Sequence, residues 1–118
     1  LSHSLGGVNP GLHHGTLNAI FLPAVVRFNS EAESVRKEQR LDRLAQAMGL
    51  PGGEAVAPAL AAMVQTLNLP AGLAALGVVP GQFDTIITHA LADHCHKTNP
   101  REASREDYLQ MLQDSMRI

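Results

Sequence analysis

This chain is short of aromatic residues: among 118 residues there are three Phe, one Tyr and no Trp, so aromatics make up 3%. A core must then be built from Leu, Ala, Val, Ile and Met, a composition that favours packed helices over sheets. One cysteine, Cys95, excludes an internal disulfide, and a reducing, cytoplasmic setting is the expectation. No apolar run reaches the ~18 residues needed to span a bilayer. The N-terminus shows no basic segment followed by an apolar one, so no signal peptide is read. A formal net charge of −2 gives no electrostatic case for nucleic acid, and the nine Lys and Arg form no strip that would seek an anionic membrane. Gly6-Gly7 and Gly52-Gly53 lack the strand–turn–helix setting of a dinucleotide loop, so no nucleotide-binding domain is expected here.

The length suits one domain, and the patterning is helical throughout. Residues 1–12 are rich in Gly, Ser, Asn and Pro and read as a loop. Leu17, Ile20, Phe21, Val25 and Phe28 recur at three- and four-residue steps, predicting a helix over 14–29 that Pro23 should kink or interrupt. Ser30 with Glu33 reads as a capping box for a second helix over 31–48, with Val35, Leu41, Leu44, Ala45 and Met48 as its stripe. Its other face carries paired charges, and Gly49 stops it. A third helix is expected over 54–67, with Leu60, Met63, Val64 and Leu67 inward. A short segment follows over 71–76, then a helix over 82–96 with Phe83, Ile86, Ile87, Ala90 and Leu91 on one side. Ser104 and Asp107 suggest a capping box for a last helix over 105–116, striped by Tyr108, Leu109, Leu112 and Met116. The expected fold class is all-α, five or six helices in a multi-helix bundle.

Histidines carry the chemical interest. His3, His13 and His14 flank glycines at the mouth of the first predicted helix. Imidazole suits first-row divalent metals, and a helix N-terminus favours an anion beside one. A catalytic metal usually needs three protein ligands and an open position, and no nearby carboxylate completes the set. The bland reading is a solvent-facing His pair. A second group, His89, His94, Cys95 and His96, tempts a zinc reading. On one helix, however, residues 94 and 96 would point about 200° apart, so Cys95 reads more simply as a small buried thiol.

The run His3-Ser4-Leu5-Gly6-Gly7, then His14-Gly15-Thr16-Leu17-Asn18-Ala19-Ile20-Phe21-Leu22-Pro23, then Arg27-Phe28-Asn29, resembles the signature of iron-containing, metal-dependent alcohol dehydrogenases. That pattern is roughly His-x-x-x-His-x-Leu-Gly, a loop, and His-Gly-x-x-Asn-Ala-x-x-Leu-Pro. Asn99-Pro100-Arg101 with Ser104 and Asp107 resembles the family's closing segment, so the likeness covers essentially the whole chain. The resemblance implies that residues 1–118 are the C-terminal helical metal-binding domain of a dehydroquinate synthase-like fold. An N-terminal nucleotide-binding domain outside this chain would carry most of the NAD(P) site, and the full enzyme would be a homodimer. It implies His14 as a direct ligand of a divalent metal, Fe2+ or Zn2+. It places His3 beside the metal, near nicotinamide and substrate, in a catalytic role, and Cys95 on the side facing the cleft, where it could contact cofactor or substrate. The first His of the pair would precede Leu1. His13 and a His3–His14 loop one residue longer than usual depart from the pattern. The implied reaction is reversible hydride transfer between an alcohol or aldehyde and nicotinamide, with 118 residues alone inactive. Two other readings stay open: a small helical interaction module with incidental histidines, and a self-contained metalloprotein in which His3, His13, His14 and another ligand converge.

Overall fold

Seven α-helices and four short 3₁₀ turns make up the computed structural model, which describes residues 1–118 and contains no strand. Helix α1 spans Ser2–Val8, α2 His14–Ser30, α3 Glu33–Lys37, α4 Arg40–Ala47, α5 Val56–Thr66, α6 Phe83–Ala92 and α7 Arg105–Asp114. No helix is long and apolar enough to cross a membrane. The expected all-α architecture is what forms.

The hydrophobic core is built by α1, α2, α6 and α7 with the turn at Leu73–Leu76. Leu5, Leu17, Ile20, Leu73, Ile86 and Leu112 are fully buried in it. On α7 the buried residues are Tyr108, Met111, Leu112 and Ser115, an i, i+3, i+4, i+7 face. Leu109 lies about 100° off that face and stays 38% exposed, contrary to the expected stripe.

The segment 1–12, expected as a loop, folds as α1. Two glycines in a seven-residue helix give it little intrinsic stability. Tertiary packing supplies the rest: α1 lies against α2 and α6, and Leu5 and Ser4 are buried there. The region 31–48 is not one helix. The backbone turns left-handed at Gln39 (φ 49°), which separates α3 from α4. Nor does Ser30 cap α3. Helix α2 runs on through Ser30, whose hydroxyl donates to the Arg27 carbonyl at 2.6 Å, and Ala32 takes the cap position instead. Pro23 is buried inside α2 without ending it; the 17-residue helix forgoes one ladder bond there and continues.

Helix α5 packs on α2 through small residues, burying Val56, Ala57 and Val64. Met63 and Leu67, expected inward, and Leu44 on α4 are exposed. The helix expected over 82–96 stops at Ala92. Asp93 is extended (φ −71°, ψ 142°) and caps a 3₁₀ turn over His94–Thr98. That interruption positions the site.

Candidate active site

The N-terminal helix meets the end of α6 at this turn. His3 projects from α1, anchored by the burial of Ser4 and Leu5 beside it. His14 is the first residue of α2, where orphan N–H groups lie close by. The His3 and His14 rings stack with centroids 5.2 Å apart and planes 13° from parallel. On the other side His94 stacks on His3 at 5.8 Å. Three imidazoles therefore share one patch, with His3 between the other two.

Asp93 ties that patch to the end of α6. Its Oδ2 lies 3.1 Å from His3 Nδ1, and its Oδ1 accepts the backbone N–H of Cys95 at 2.8 Å. The Cys95 N–H first, and then the His3 ring, hold the Asp93 carboxyl below the usual carboxylate range against an opposing desolvation effect. Asp93 is thus an anion at neutral pH and can only accept hydrogen bonds.

Cys95 is exposed, not the small buried thiol expected as the simpler alternative. Partial desolvation of its sulfur, and then the neighbouring Asp93 carboxylate, push the thiol above its ordinary range. It is therefore neutral at pH 7, not a primed thiolate. One donor atom each from His3, Asp93 and Cys95 falls within 4.8 Å of the others. Spacing does not reveal this grouping, because the sequence pattern places residue 93 inside a helix over 82–96. His89 is exposed, and Asp93 turns toward His3.

The other histidines separate. His13 caps α2 through Nδ1, which accepts the Thr16 N–H at 3.4 Å, so that nitrogen is engaged by the backbone. His96 Nδ1 is 2.8 Å from the Tyr108 hydroxyl. Burial first, and then the charges of Asp93 and Cys95, raise the Tyr108 phenol above its ordinary value. His94 and His96 do diverge, although the α-helical spacing argument does not apply to a 3₁₀ turn.

Beneath the turn lies a largely apolar cavity of about 490 Å³, walled by Phe21, Leu22, Phe28 and Met111 with Asp93 and Cys95 at its polar side. Neither His3 nor His14 lines it. Its floor is pinned by the Asn99-Pro100-Arg101 segment. Asn99 Nδ2 donates to Asn29 Oδ1 at 2.7 Å, and Arg101 donates to the Phe28 carbonyl at 3.0 Å while lying 4.1 Å over the Phe28 ring. Arg101 thus anchors the turn that follows Asn99-Pro100 to the end of α2.

His14 has the chemistry of a metal ligand. Its ring is exposed at a helix start, and its only ring partner is the face of His3, so its nitrogens are free to bind. It supplies one donor, and a metal held there needs further ligands.

The family model described as "Fe-containing alcohol dehydrogenase family, C-terminal" matches residues 1–116. The chain is 52% identical over 120 residues to a 4-hydroxybutyrate dehydrogenase of Cupriavidus necator, aligning 98% of this chain with 31% of that protein. It is 34% identical to alcohol dehydrogenase 4 of Saccharomyces cerevisiae, over 95% of this chain and 29% of the yeast protein. It is 29% identical to an NAD-dependent methanol dehydrogenase of Bacillus methanolicus, over 98% and 31% respectively. The chain spans about a third of the length of these relatives. By that match over nearly every residue, the chain belongs to the iron-containing alcohol dehydrogenase family and corresponds to its C-terminal helical region.

Proposed function

We propose that this chain forms the metal-binding wall of the active site in an NAD(P)-dependent alcohol dehydrogenase or aldehyde reductase. The observation that carries the reading is the His14–His3 stack at the start of α2, within a chain that matches the family over residues 1–116. A domain outside this chain, of the kind that fills the remaining two thirds of the relatives, would supply the nucleotide site and the missing metal ligands. The full enzyme would work as a homodimer, and the free Cys95 fits a reducing cytoplasm.

The reaction is reversible hydride transfer between an alcohol carbon and nicotinamide, with a divalent metal, Fe2+ or Zn2+, supplying a Lewis acid to the substrate oxygen. His14 would hold that metal. His3, half exposed and next to His14, orients the substrate or exchanges its hydroxyl proton. Cys95, exposed at the same edge, would contact cofactor or substrate. The 52% identity to a 4-hydroxybutyrate dehydrogenase favours an ω-hydroxy acid as substrate.

The test is nicotinamide reduction by the full-length polypeptide carrying this sequence, reconstituted with Fe2+ or Zn2+ and supplied with 4-hydroxybutyrate and with short unbranched alcohols. Metal-dependent turnover is expected, and His14→Ala should lower bound metal and kcat/KM together by about 10²-fold or more. The 118 residues alone should show no turnover. Full-length protein without metal-dependent nicotinamide reduction on either substrate class would defeat the reading.

A further inference from the structure

His3 and Asp93 are 90 positions apart, yet they form a hydrogen bond of 3.1 Å between Nδ1 and Oδ2. The geometry points to Asp93 as the positioning residue for His3: it holds the ring as the Nδ1–H tautomer and leaves Nε2 as the basic nitrogen. This rests on the proton-exchange role assigned to His3 above and adds the residue that governs it.

Three observations converge. First, Asp93 is itself fixed. Its backbone is extended, it caps the turn over His94–Thr98, and its other carboxylate oxygen is held by the Cys95 N–H at 2.8 Å. A carboxylate so anchored presents Oδ2 in one place. Second, the tautomer follows from donor chemistry. The anion only accepts, so the nitrogen facing it must carry the proton, and the second ring nitrogen of a neutral imidazole is then an acceptor. Third, the ring is confined. His14 and His94 stack on it at 5.2 and 5.8 Å, which opposes the ring flip that would exchange the nitrogens. His3 nevertheless remains 49% exposed, so the ring is open to solvent rather than sealed in the core.

The same carboxylate could merely staple α1 to the end of α6, or join Cys95 in holding a metal. These alternatives make different predictions. Asn at 93 keeps an oxygen for the Cys95 N–H but directs an amide N–H₂ at His3 Nδ1, which favours the opposite tautomer. Ser at 93 keeps a cap acceptor while being too short to reach the ring. A staple would lose stability in both variants without changing the chemistry selectively.

The experiment uses the full-length polypeptide carrying this sequence, labelled with ¹⁵N-histidine and loaded with diamagnetic Zn2+. Long-range ¹H–¹⁵N spectra read the protonation of each His3 ring nitrogen, assigned by its loss in His3→Ala. Wild type should show a protonated Nδ1 and a bare Nε2, Asp93→Asn the reverse, and Asp93→Ser a mixture. In steady-state kinetics Asp93→Asn and Asp93→Ser should lower kcat by about 10²–10⁴-fold with KM changed much less. Asp93→Ser, which retains the cap, guards against a fold defect in the other variant. An averaged or Nε2–H ring in wild type overturns the assignment, as does a metal-shifted Nδ1 resonance. Altered tautomers with unchanged kcat overturn the catalytic consequence. If His3→Ala itself leaves kcat unchanged, the fault lies in the role given to His3, and the spectra still decide the pairing.

Discussion

The helices α1, α2, α6 and α7 and the helices α3 to α5 are built to different standards. The first set supplies the central hydrophobic core, with Leu5, Leu17, Ile20, Ile86 and Leu112 wholly enclosed. The second set buries mainly small residues, Ala32, Val35, Ala45, Val56, Ala57 and Val64, and leaves Leu44, Met63 and Leu67 in solvent. Every group in the imidazole–carboxylate patch belongs to the first set or to the turns that join its members. The α3–α5 arm rides on α2 through α5 and places no side chain in that patch. The difference teaches where precision is needed: three stacked imidazoles and a capping carboxylate require a rigid base, and the helices that carry the large buried side chains supply it.

The comparison can be broken most forcefully in the core. Leu112→Ala removes a fully buried side chain and should destabilise by about 2–5 kcal/mol, whereas Leu67→Ala on the exposed face of the arm should stay within about 0.5 kcal/mol. Urea denaturation of the two variants measures both, and equal losses would erase the distinction between the regions. A backbone version follows. A Cβ at Gly72 would clash with the Met116 carbonyl group, in a conformation (φ +131°) that L side chains rarely adopt. Overpacking and strain together should cost about 2–4 kcal/mol in Gly72→Ala. Gly49, which ends the arm's α4 at φ +71° with open space around its Cβ position, should lose only about 1–2 kcal/mol as Ala.

A smaller contrast concerns polar contacts. Asn99 joins Asn29 and the Arg101 carbonyl in a half-buried cluster, so Asn99→Ala strands partners and should cost about 1–3 kcal/mol. Lys37 pairs with Glu33 on the exposed surface of α3, and Lys37→Ala should change stability by about 0.5 kcal/mol or less. Thermal unfolding of both variants under the same buffer decides whether the arm's ion pairs matter as little as their exposure implies.

Sequence patterning revealed α2, α6 and α7 because each carries large apolar residues at helical spacing and borders the core. The capping box at Ser104 and Asp107 was legible for the same local reason, and it forms with both reciprocal bonds. Helix α1 was not legible, since Gly6 and Gly7 argue against a helix and only the packing of Leu5 overcomes them. The break at Gln39 was hidden because no Gly or Pro marks it, and Ser30 looked like a cap only while α2 was assumed to end before it. At the site, the residue types of His3, His14 and Cys95 were visible, but their partner was not. Asp93 reads as an ordinary helical carboxylate until α6 stops one residue earlier, and its approach to His3 is a long-range fact that spacing cannot express.

The finest test separates the regions by pH. Asp93 has a folded pKa below its unfolded value, chiefly because the Cys95 N–H stabilises the carboxylate. Such a group contributes stability that is present above its unfolded pKa, about 3.9, and that is lost as pH falls through the folded pKa. Asp93→Asn, which keeps an oxygen for the Cys95 N–H but loses the charge and the acceptor facing His3, should therefore be less stable than wild type near neutrality, by about 1 kcal/mol or less. The gap should narrow steadily below about pH 4, as protonation of wild-type Asp93 removes the same advantage. Leu67→Ala, which touches no titratable group of this cluster, should keep the wild-type curve's shape across that window. Denaturation midpoints from pH 7 to pH 2.5 would read the two curves. A gap for Asp93→Asn that is constant with pH would mean that the carboxylate's charge contributes nothing to holding α1 and the end of α6 together, and that the cap alone stabilises the turn.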